Sequence, residues 1–202
     1  MRIIGLTGYK QCGKSSAAQV LTEGFGFVPY AFADGVRAMA AAIDPAISLD
    51  DAPDDVWEQS PAHPGLIRGL PRWRRYTEIL RRIGYERGKQ IPDFRRFLQR
   101  LGTEGVRGTF GPQAWVEALA RRLAEDDPAG VVIADVRFES EEAWVHAQGG
   151  EVWRMERPGV GGDDPHPSEA GIPHLRVDQV VRVATLAELH ARVQSLAHLA
   201  GF

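Results

Sequence analysis

A chain of 202 residues with 44% apolar side chains favours one domain with a sizeable core, and its net charge of −3 excludes a general affinity for nucleic acid or membrane surfaces. One cysteine, Cys12, excludes an internal disulfide and points to a reducing cytoplasm. No apolar run approaches membrane-spanning length, and no signal peptide is read ahead of the first predicted strand.

The apolar run Ile3 to Thr7 predicts a buried strand, and Ser15 to Leu21 predicts a helix with Ala17, Ala18 and Leu21 on one face. Between them lies Gly8-Tyr9-Lys10-Gln11-Cys12-Gly13-Lys14-Ser15, the spacing G-x-x-x-x-G-K-[ST] of a phosphate-binding P-loop. Glycines let such a loop turn its N–H groups inward, where they and a helix N-terminus hold phosphates. Lys14 is placed to reach the β- and γ-phosphates of a nucleotide, and Ser15 to ligate Mg²⁺. Gly8, Lys10, Gly13 and Ser16 complete the expected nucleotide-binding set. A ligand-free turn requires neither the lysine nor the serine.

A second strand is predicted at Val28 to Ala33, after a helix stop at Gly24 and Gly26, followed by a helix from Gly35 to Ile43. Residues 46–92 read as an irregular excursion beside the site, proline- and aspartate-rich at first, then basic and helical from Arg72 to Gly84. Asp93 to Leu101 gives an amphipathic pattern, with Phe94, Phe97, Leu98 and Leu101 on one face and Arg95 and Gln99 flanking it. A helix is predicted from Pro112 to Glu125, burying Trp115, Val116, Leu119 and Leu123. Val131 to Asp135 reads as a strand ending in a carboxylate, which downstream of a P-loop belongs near Mg²⁺ and the reacting phosphates. Next come a helix at Glu139 to Gln148, a strand at Glu151 to Met155, and a lid-like loop at 157–174. A strand at Val177 to Val183 leads to a capping box, Thr185-Leu186-Ala187-Glu188, opening a last helix with Leu186, Leu189, Val193 and Leu196 inward. Strands alternating with helices predict one α/β domain over 1–202, with a parallel sheet covered on both faces and ligands at the strand carboxyl ends.

Several stretches beyond the P-loop carry family information: FADGVRAMA from Phe32, FRRFLQRLGTEGVRGTFGPQAWVEAL from Phe94, VVIADVRFESEEAWVHAQGGEVWRMERPG from Val131, and HPSE from His166. Together they resemble the phage-type deoxynucleoside monophosphate kinases. The resemblance spans most of the chain except residues 46–75. It implies transfer of a phosphoryl group from ATP, with Mg²⁺, to a deoxynucleoside monophosphate. It also implies a three-layer α/β/α P-loop kinase fold with a five-stranded parallel sheet in order 2-3-1-4-5 and a lid. The expected partners are small molecules, with no nucleic acid polymer and no membrane. The chain is expected to be a monomer or homodimer in the cytoplasm, that of a host if phage-encoded. Gly35-Val36-Arg37 stands where the family tends to carry proline, leucine and lysine, so the acceptor base does not carry over.

The residues favour a phosphate as acceptor. A hydroxyl acceptor needs a base, whereas a phosphate, with a second pKa near about 6, needs only cations that bring two polyanions together. Arginine's planar fork suits that task. Only three of the 24 basic residues are lysine. Arg37, Arg95, Arg107 and Arg137 are the candidates from the family-like stretches, with Gln99 and Asp34 as further substrate contacts. Lys14, Arg107, Asp135 and Arg137 form the expected catalytic set, with Ser15 and Asp135 serving the metal. Structural alternatives stand beside these roles. Arg37 and Arg95 on helices suit a solvated face, Asp135 suits a turn cap, and Asp34 suits the N-cap of its helix. Arg107 is read in a glycine-rich loop. Arg154 and Arg157 flank the lid, while His166 and His174 lack a third ligand at metal-binding spacing. Two other functions stay open: a hydroxyl kinase resembling dephospho-coenzyme A kinases, with Asp34 as base, and a nucleotide-binding regulatory module. The absence of asparagine excludes the Asn-Lys-x-Asp guanine motif of GTPases.

Overall fold

The computed structural model describes residues 1–53, 56, 72–161 and 167–201. The chain divides into two compact units, Met1–Asp34 with Trp115–Phe202, and Gly35–Ala114.

The first unit is built on β1 (Arg2–Thr7), β2 (Val28–Tyr30), β5 (Gly130–Ile133), β6 (Glu151–Glu156) and β7 (Gln179–Arg182). They form one sheet in the order β2-β5-β1-β6-β7, and every pairing is parallel. Counted within that sheet alone, this is the order 2-3-1-4-5. The higher labels arise because a separate strand pair intervenes in the chain. Helices α1 (Lys14–Phe25) and α9 (Leu186–Leu199) cover one face. There Ile4, Leu6, Val132, Trp153 and Val181 meet Ala17, Leu21, Leu189 and Val193. On the other face α7 (Glu139–Ala147) packs against β1 and β6, bringing Val145 so close to Gly5 that a Cβ there would meet it at 3.4 Å. The central strands are apolar on both faces for this reason. The helix α6 (Ala114–Asp126) buries Trp115, Val116, Leu119 and Leu123, as its pattern predicts.

Local chemistry ends these elements where expected. Gly26 takes a left-handed conformation (φ 69°) and closes α1. The capping box forms at α9: Glu188 N–H donates to Thr185 Oγ1 and Thr185 N–H to Glu188 Oε2, both at 3.2 Å. Leu186 differs from expectation. It is the first residue of the helix and is 59% exposed, because the sheet begins beneath the next turn at Leu189.

Asp178, just before β7, ties three elements. Its Oδ2 accepts from Val152 N–H at 2.7 Å and lies 2.8 Å from His146 Nε2, while His146 Nδ1 lies 2.7 Å from Glu142. Burial pushes the Asp178 carboxyl up, but the Val152 amide and His146 outweigh it and hold it below its ordinary value. A depressed carboxylate stabilises the fold above its unfolded pKa of about 3.9 and loses that contribution as pH falls through the folded value. Wild-type melting temperature is therefore expected to drop in acid, and Asp178→Asn is expected to lose part of that drop. Parallel melting curves of the two proteins against pH would show the same slope if Asp178 were uncoupled.

The second unit contains α2 (Ala33–Ile43) beyond its first turn, an antiparallel pair β3 (Ala46–Ser48) and β4 (Trp73–Arg75), α3 (Tyr76–Gly88), and α4 (Pro92–Gln99). A π-helical segment (Arg100–Arg107) and a short α5 (Gly108–Phe110) follow. The predicted helix from Arg72 therefore starts four residues late, its first residues being taken by β4. A three-residue strand pairing across the chain leaves no local signature. Asp44 accepts from Thr77 N–H at 2.8 Å and caps α3 from a distance. The loop expected around Arg107 is also helical, since the turn set from Pro92 continues through Gly102 and Gly105 to Phe110. At Gly102 a Cβ would meet Val36 at 3.3 Å, so the missing side chain serves the approach to α2 rather than a loop. The excursion at 46–92 falls partly on residues 54–55 and 57–71, and the lid-like stretch partly on 162–166. Those residues, including His166, lie outside the described residues.

Candidate active site

The P-loop forms at the carboxyl end of β1. Gly8 and Gly13 have φ of +133° and +106°, conformations that side chains rarely adopt. A Cβ on Gly8 would lie 2.4 Å from the Met155 carbonyl oxygen and 2.7 Å from Cys12 Sγ. We expect Gly8→Ala to weaken nucleotide binding by at least about tenfold and to destabilise the fold by about 1–3 kcal/mol. Nucleotide titration and thermal melting check this; an unchanged affinity would contradict it.

Lys14 opens α1 and turns its ammonium onto its own loop. Nζ donates to the Gly8 and Tyr9 carbonyls at 2.6 and 2.7 Å and lies 3.7 Å from Cys12 Sγ. Burial holds the Lys14 ammonium below its ordinary pKa. Cys12 acts against that, Arg137 reinforces it, and Glu169 opposes it. Lys14, Arg137 and Glu169 thus share one electrostatic neighbourhood. Ser15 and Lys10 are exposed, and Ser16 and Gly13 are half-buried.

Cys12 is only 3% exposed. Its Sγ lies between the Gly8 backbone and the lysine, packed into the core rather than displayed by the loop. Alkylation of the native protein is therefore expected to be slower than that of the denatured protein by at least about tenfold. Equal rates would show an open loop.

Asp135 follows β5. Its Oδ1 and Oδ2 accept from the N–H groups of Phe32 and Ala33, each at 2.9 Å, at the start of α2. The N-cap role considered for Asp34 thus falls to Asp135. Asp34 sits inside the first turn, where its Oδ2 accepts from Ala31 N–H at 3.2 Å and lies 3.4 Å from Arg122 Nη1. A carboxylate there complements the helix dipole. The helix begins two residues earlier than predicted because Asp135 satisfies its first amides from another segment.

Arg137 is held at both ends. Its N–H donates to Glu141 Oε2 at 2.7 Å, and its guanidinium pairs with Glu169 Oε1 at 2.5 Å. Among the described residues of this unit, Glu141 and Glu169 are the buried acids, at 2% and 5% exposure. Sequence reasoning alone assigns neither of them a place in the site. Glu169 lay within the HPSE stretch, but its partner 32 residues away has no sequence signal.

Arg154 borders the same cavity as Gly8 and Tyr9. Its Nη2 donates to the carbonyls of Ile172, Pro173 and Leu175, so it fastens the segment after Glu169 to β6. The register that places Arg154 opposite Thr7 and Val180 decides this. Arg157 is exposed and borders a cavity of about 420 Å³, whose walls include Gly8, Tyr9, Cys12, Pro158 and Arg182. His174 ends a 3₁₀ turn (Ile172–His174).

Arg37, Arg95, Gln99 and Arg107 belong to the second unit. Arg37 lies on α2 with its guanidinium 4.5 Å from the Tyr85 ring centre. Nearby, Tyr76 stacks on Phe94 at 4.7 Å, and burial first, with Tyr85 adding, pushes its phenol up to about 12. Arg95 and Gln99 are half-buried on α4. A cavity of about 580 Å³ in this unit is bordered instead by Asp93, Arg96, Phe97, Arg100 and Glu104. Arg107, at the end of the π-helical segment, donates from Nη1 to the Pro112 carbonyl at 2.8 Å.

A parallel sheet in this order, with a lysine-bearing glycine loop between β1 and α1, defines a P-loop kinase fold. The sequence profile of the family described as deoxynucleotide monophosphate kinase matches residues 79–193, more than half of the chain. The chain belongs to that family.

A protein of Acanthamoeba polyphaga mimivirus, provisionally named deoxynucleotide monophosphate kinase, is 28% identical over 207 residues, covering 96% of this chain and 95% of the relative. The deoxynucleotide monophosphate kinases of Enterobacteria phage T4 and Escherichia phage RB69 are each 30% identical, over 105 and 106 residues. Those alignments take in half of this chain and 44% and 43% of the phage proteins. Among solved structures, a dephospho-CoA kinase from Campylobacter jejuni aligns over 99% of this chain and 98% of its own, at 14% identity and a TM-score of 0.43. Among the described residues, no helix is long and apolar enough to cross a membrane.

Proposed function

We propose that the protein transfers the γ-phosphoryl group of ATP to a deoxynucleoside monophosphate, giving the diphosphate and ADP. The carrying observation is that Arg137 follows Val136, whose N–H donates to the Leu6 carbonyl at 3.1 Å just ahead of the P-loop, and that its charge bears on Lys14. Two cations at one locus suit a reaction that joins two polyanions. The loop suits a triphosphate: Gly8 and Gly13 hold the positive φ that its turns require, and the Lys14 ammonium is partly desolvated and turned onto carbonyls. The 420 Å³ cavity beside Gly8 and Tyr9 is of a size to take the donor nucleoside, with Arg157 at its edge.

Ser15 would hold magnesium directly and Asp135 through water. The carboxylate has about four lone-pair sites, so two backbone donors do not saturate it. Magnesium usually takes one or two protein oxygens and completes its shell with phosphates and water, which suits so sparse a set. When bound, it would neutralise charge on the β- and γ-phosphates. Loop N–H groups orient the donor, Lys14 follows the charge that develops on the leaving oxygen, and Arg137 bridges donor and acceptor. The acceptor phosphate attacks in line and needs no base. Arg37, Arg95, Gln99 and Arg107 are assigned to the acceptor, with Asp34 as a further contact.

The residues at 46–92 form the acceptor side, 157–174 forms the lid, and the enzyme acts in the cytoplasm as a monomer or homodimer. The test is ADP release with a panel of deoxynucleoside monophosphates, nucleosides and dephospho-coenzyme A. Turnover with monophosphates is expected. Turnover with dephospho-coenzyme A alone would transfer the site to a hydroxyl kinase, and none with any acceptor would favour a regulatory module.

A further inference from the structure

We infer that Glu169 is a positioning residue for phosphoryl transfer: it holds the Arg137 guanidinium in place at the carboxyl end of the sheet. The inference rests on the reading of Arg137 as a phosphate-binding cation. Glu169 lies on the four-residue helix α8 (Pro167–Ala170), and its side chain is 6% exposed against 30% for Arg137. A carboxylate so buried is stable only when paired, and its recorded partner is Arg137 Nη1. The residue before Arg137, Val136, donates its N–H to Leu6 at the end of β1 at 3.1 Å, so the pair stands where the strand that carries the P-loop ends.

The carboxylate is itself anchored. Ile172 and Leu175, just downstream, are 1% and 4% exposed. Their carbonyls, with that of Pro173, accept from Arg154 on β6. Arg154 therefore fastens the segment to the sheet, the segment carries Glu169, and Glu169 fixes Arg137. From the other side Glu141 Oε2 accepts from the N–H groups of Arg137 and Phe138, at 2.7 and 3.1 Å. An arginine side chain left to itself samples many rotamers, at a cost of up to about 2 kcal/mol when it must be ordered during the reaction. An arginine held at its backbone and its tip is ordered beforehand, which is worth most in the transition state. This gives a role to the HPSE stretch and makes Arg154 a support of the segment that carries Glu169.

The test is a double-mutant cycle of Glu169→Ala with Arg137→Ala, read as kcat and KM separately and backed by melting curves. Glu169→Gln serves as a second variant that keeps the size and removes the charge. Glu169→Ala and Glu169→Gln are expected to lower kcat about ten- to a hundredfold, with each KM moving by less than about threefold. The double variant is expected to be no slower than Arg137→Ala alone, because Glu169 acts through that arginine. Losses that multiply, or that fall on KM and stability together, would overturn the inference. Wild-type kcat in both Glu169 variants beside a slow Arg137→Ala would overturn it and leave the proposed function standing. Wild-type kcat in Arg137→Ala would overturn both.

Discussion

Lys14→Ala is expected to lower kcat/KM at least about a thousandfold, corresponding to about 4 kcal/mol of lost transition-state stabilisation. The fold should survive. Among the described residues the hydrogen-bond partners of the Lys14 ammonium are carbonyls and the thiol of its own loop, while α1 is held by Ala17, Ala18, Val20 and Leu21. Burial also disfavours its charge in the folded protein, so removing it takes away a partly desolvated cation rather than a structural tie. With phosphates in place of those carbonyls the same ammonium gains a charged acceptor in a site of low polarity. The measurement is kcat/KM with circular dichroism as a check of folding. Turnover near wild type in a folded Lys14→Ala protein would remove the P-loop from the mechanism.

Arg137 and Asp34 together report the kind of acceptor. If a phosphate accepts, Arg137→Ala is expected to cost tenfold to a thousandfold in kcat/KM, about 1.4–4 kcal/mol. Arg137→Lys should recover only part of this, since an ammonium does not reproduce the planar fork that meets Glu169 and phosphate. Asp34→Asn should retain most of its chemistry. Its carboxylate accepts from Ala31 N–H and pairs with Arg122, a structural role that an amide oxygen largely preserves. If a hydroxyl accepts, the order inverts, and Asp34→Asn is expected to lose about a hundredfold or more with the general base. A collapse in Asp34→Asn beside a nearly intact Arg137→Ala would replace the monophosphate kinase by a hydroxyl kinase.

The parts of this architecture visible in the sequence are those governed by local chemistry. The P-loop declares itself through glycines at positive φ and a lysine at a helix start. The central strands do so through unbroken apolar runs, and α9 through its capping box. What escaped depends on partners far apart in the chain. Asp135 reads as a strand-end carboxylate, but its two backbone partners lie 103 and 102 residues away. The β3–β4 pairing unites segments too short to show a period. Arg107 looks like a loop residue because glycines surround it, yet Gly102 serves a close approach inside a continuous helical run. Arg154 has the composition of a lid arginine, and only the register of β6 turns it toward the carbonyls at 172–175. Glu169 was legible as part of a motif but not as the partner of Arg137, since no local rule joins a strand end to a turn 32 residues on.

The central claim concerns where the phosphoryl group goes. Incubation with ATP labelled in its γ-phosphate and a panel of deoxynucleoside monophosphates, followed by chromatographic separation of the products, measures this directly. The account predicts label in the β-phosphate of a deoxynucleoside diphosphate, in amounts equal to the ADP formed. Label appearing only in inorganic phosphate, or esterified to a sugar hydroxyl, would contradict it.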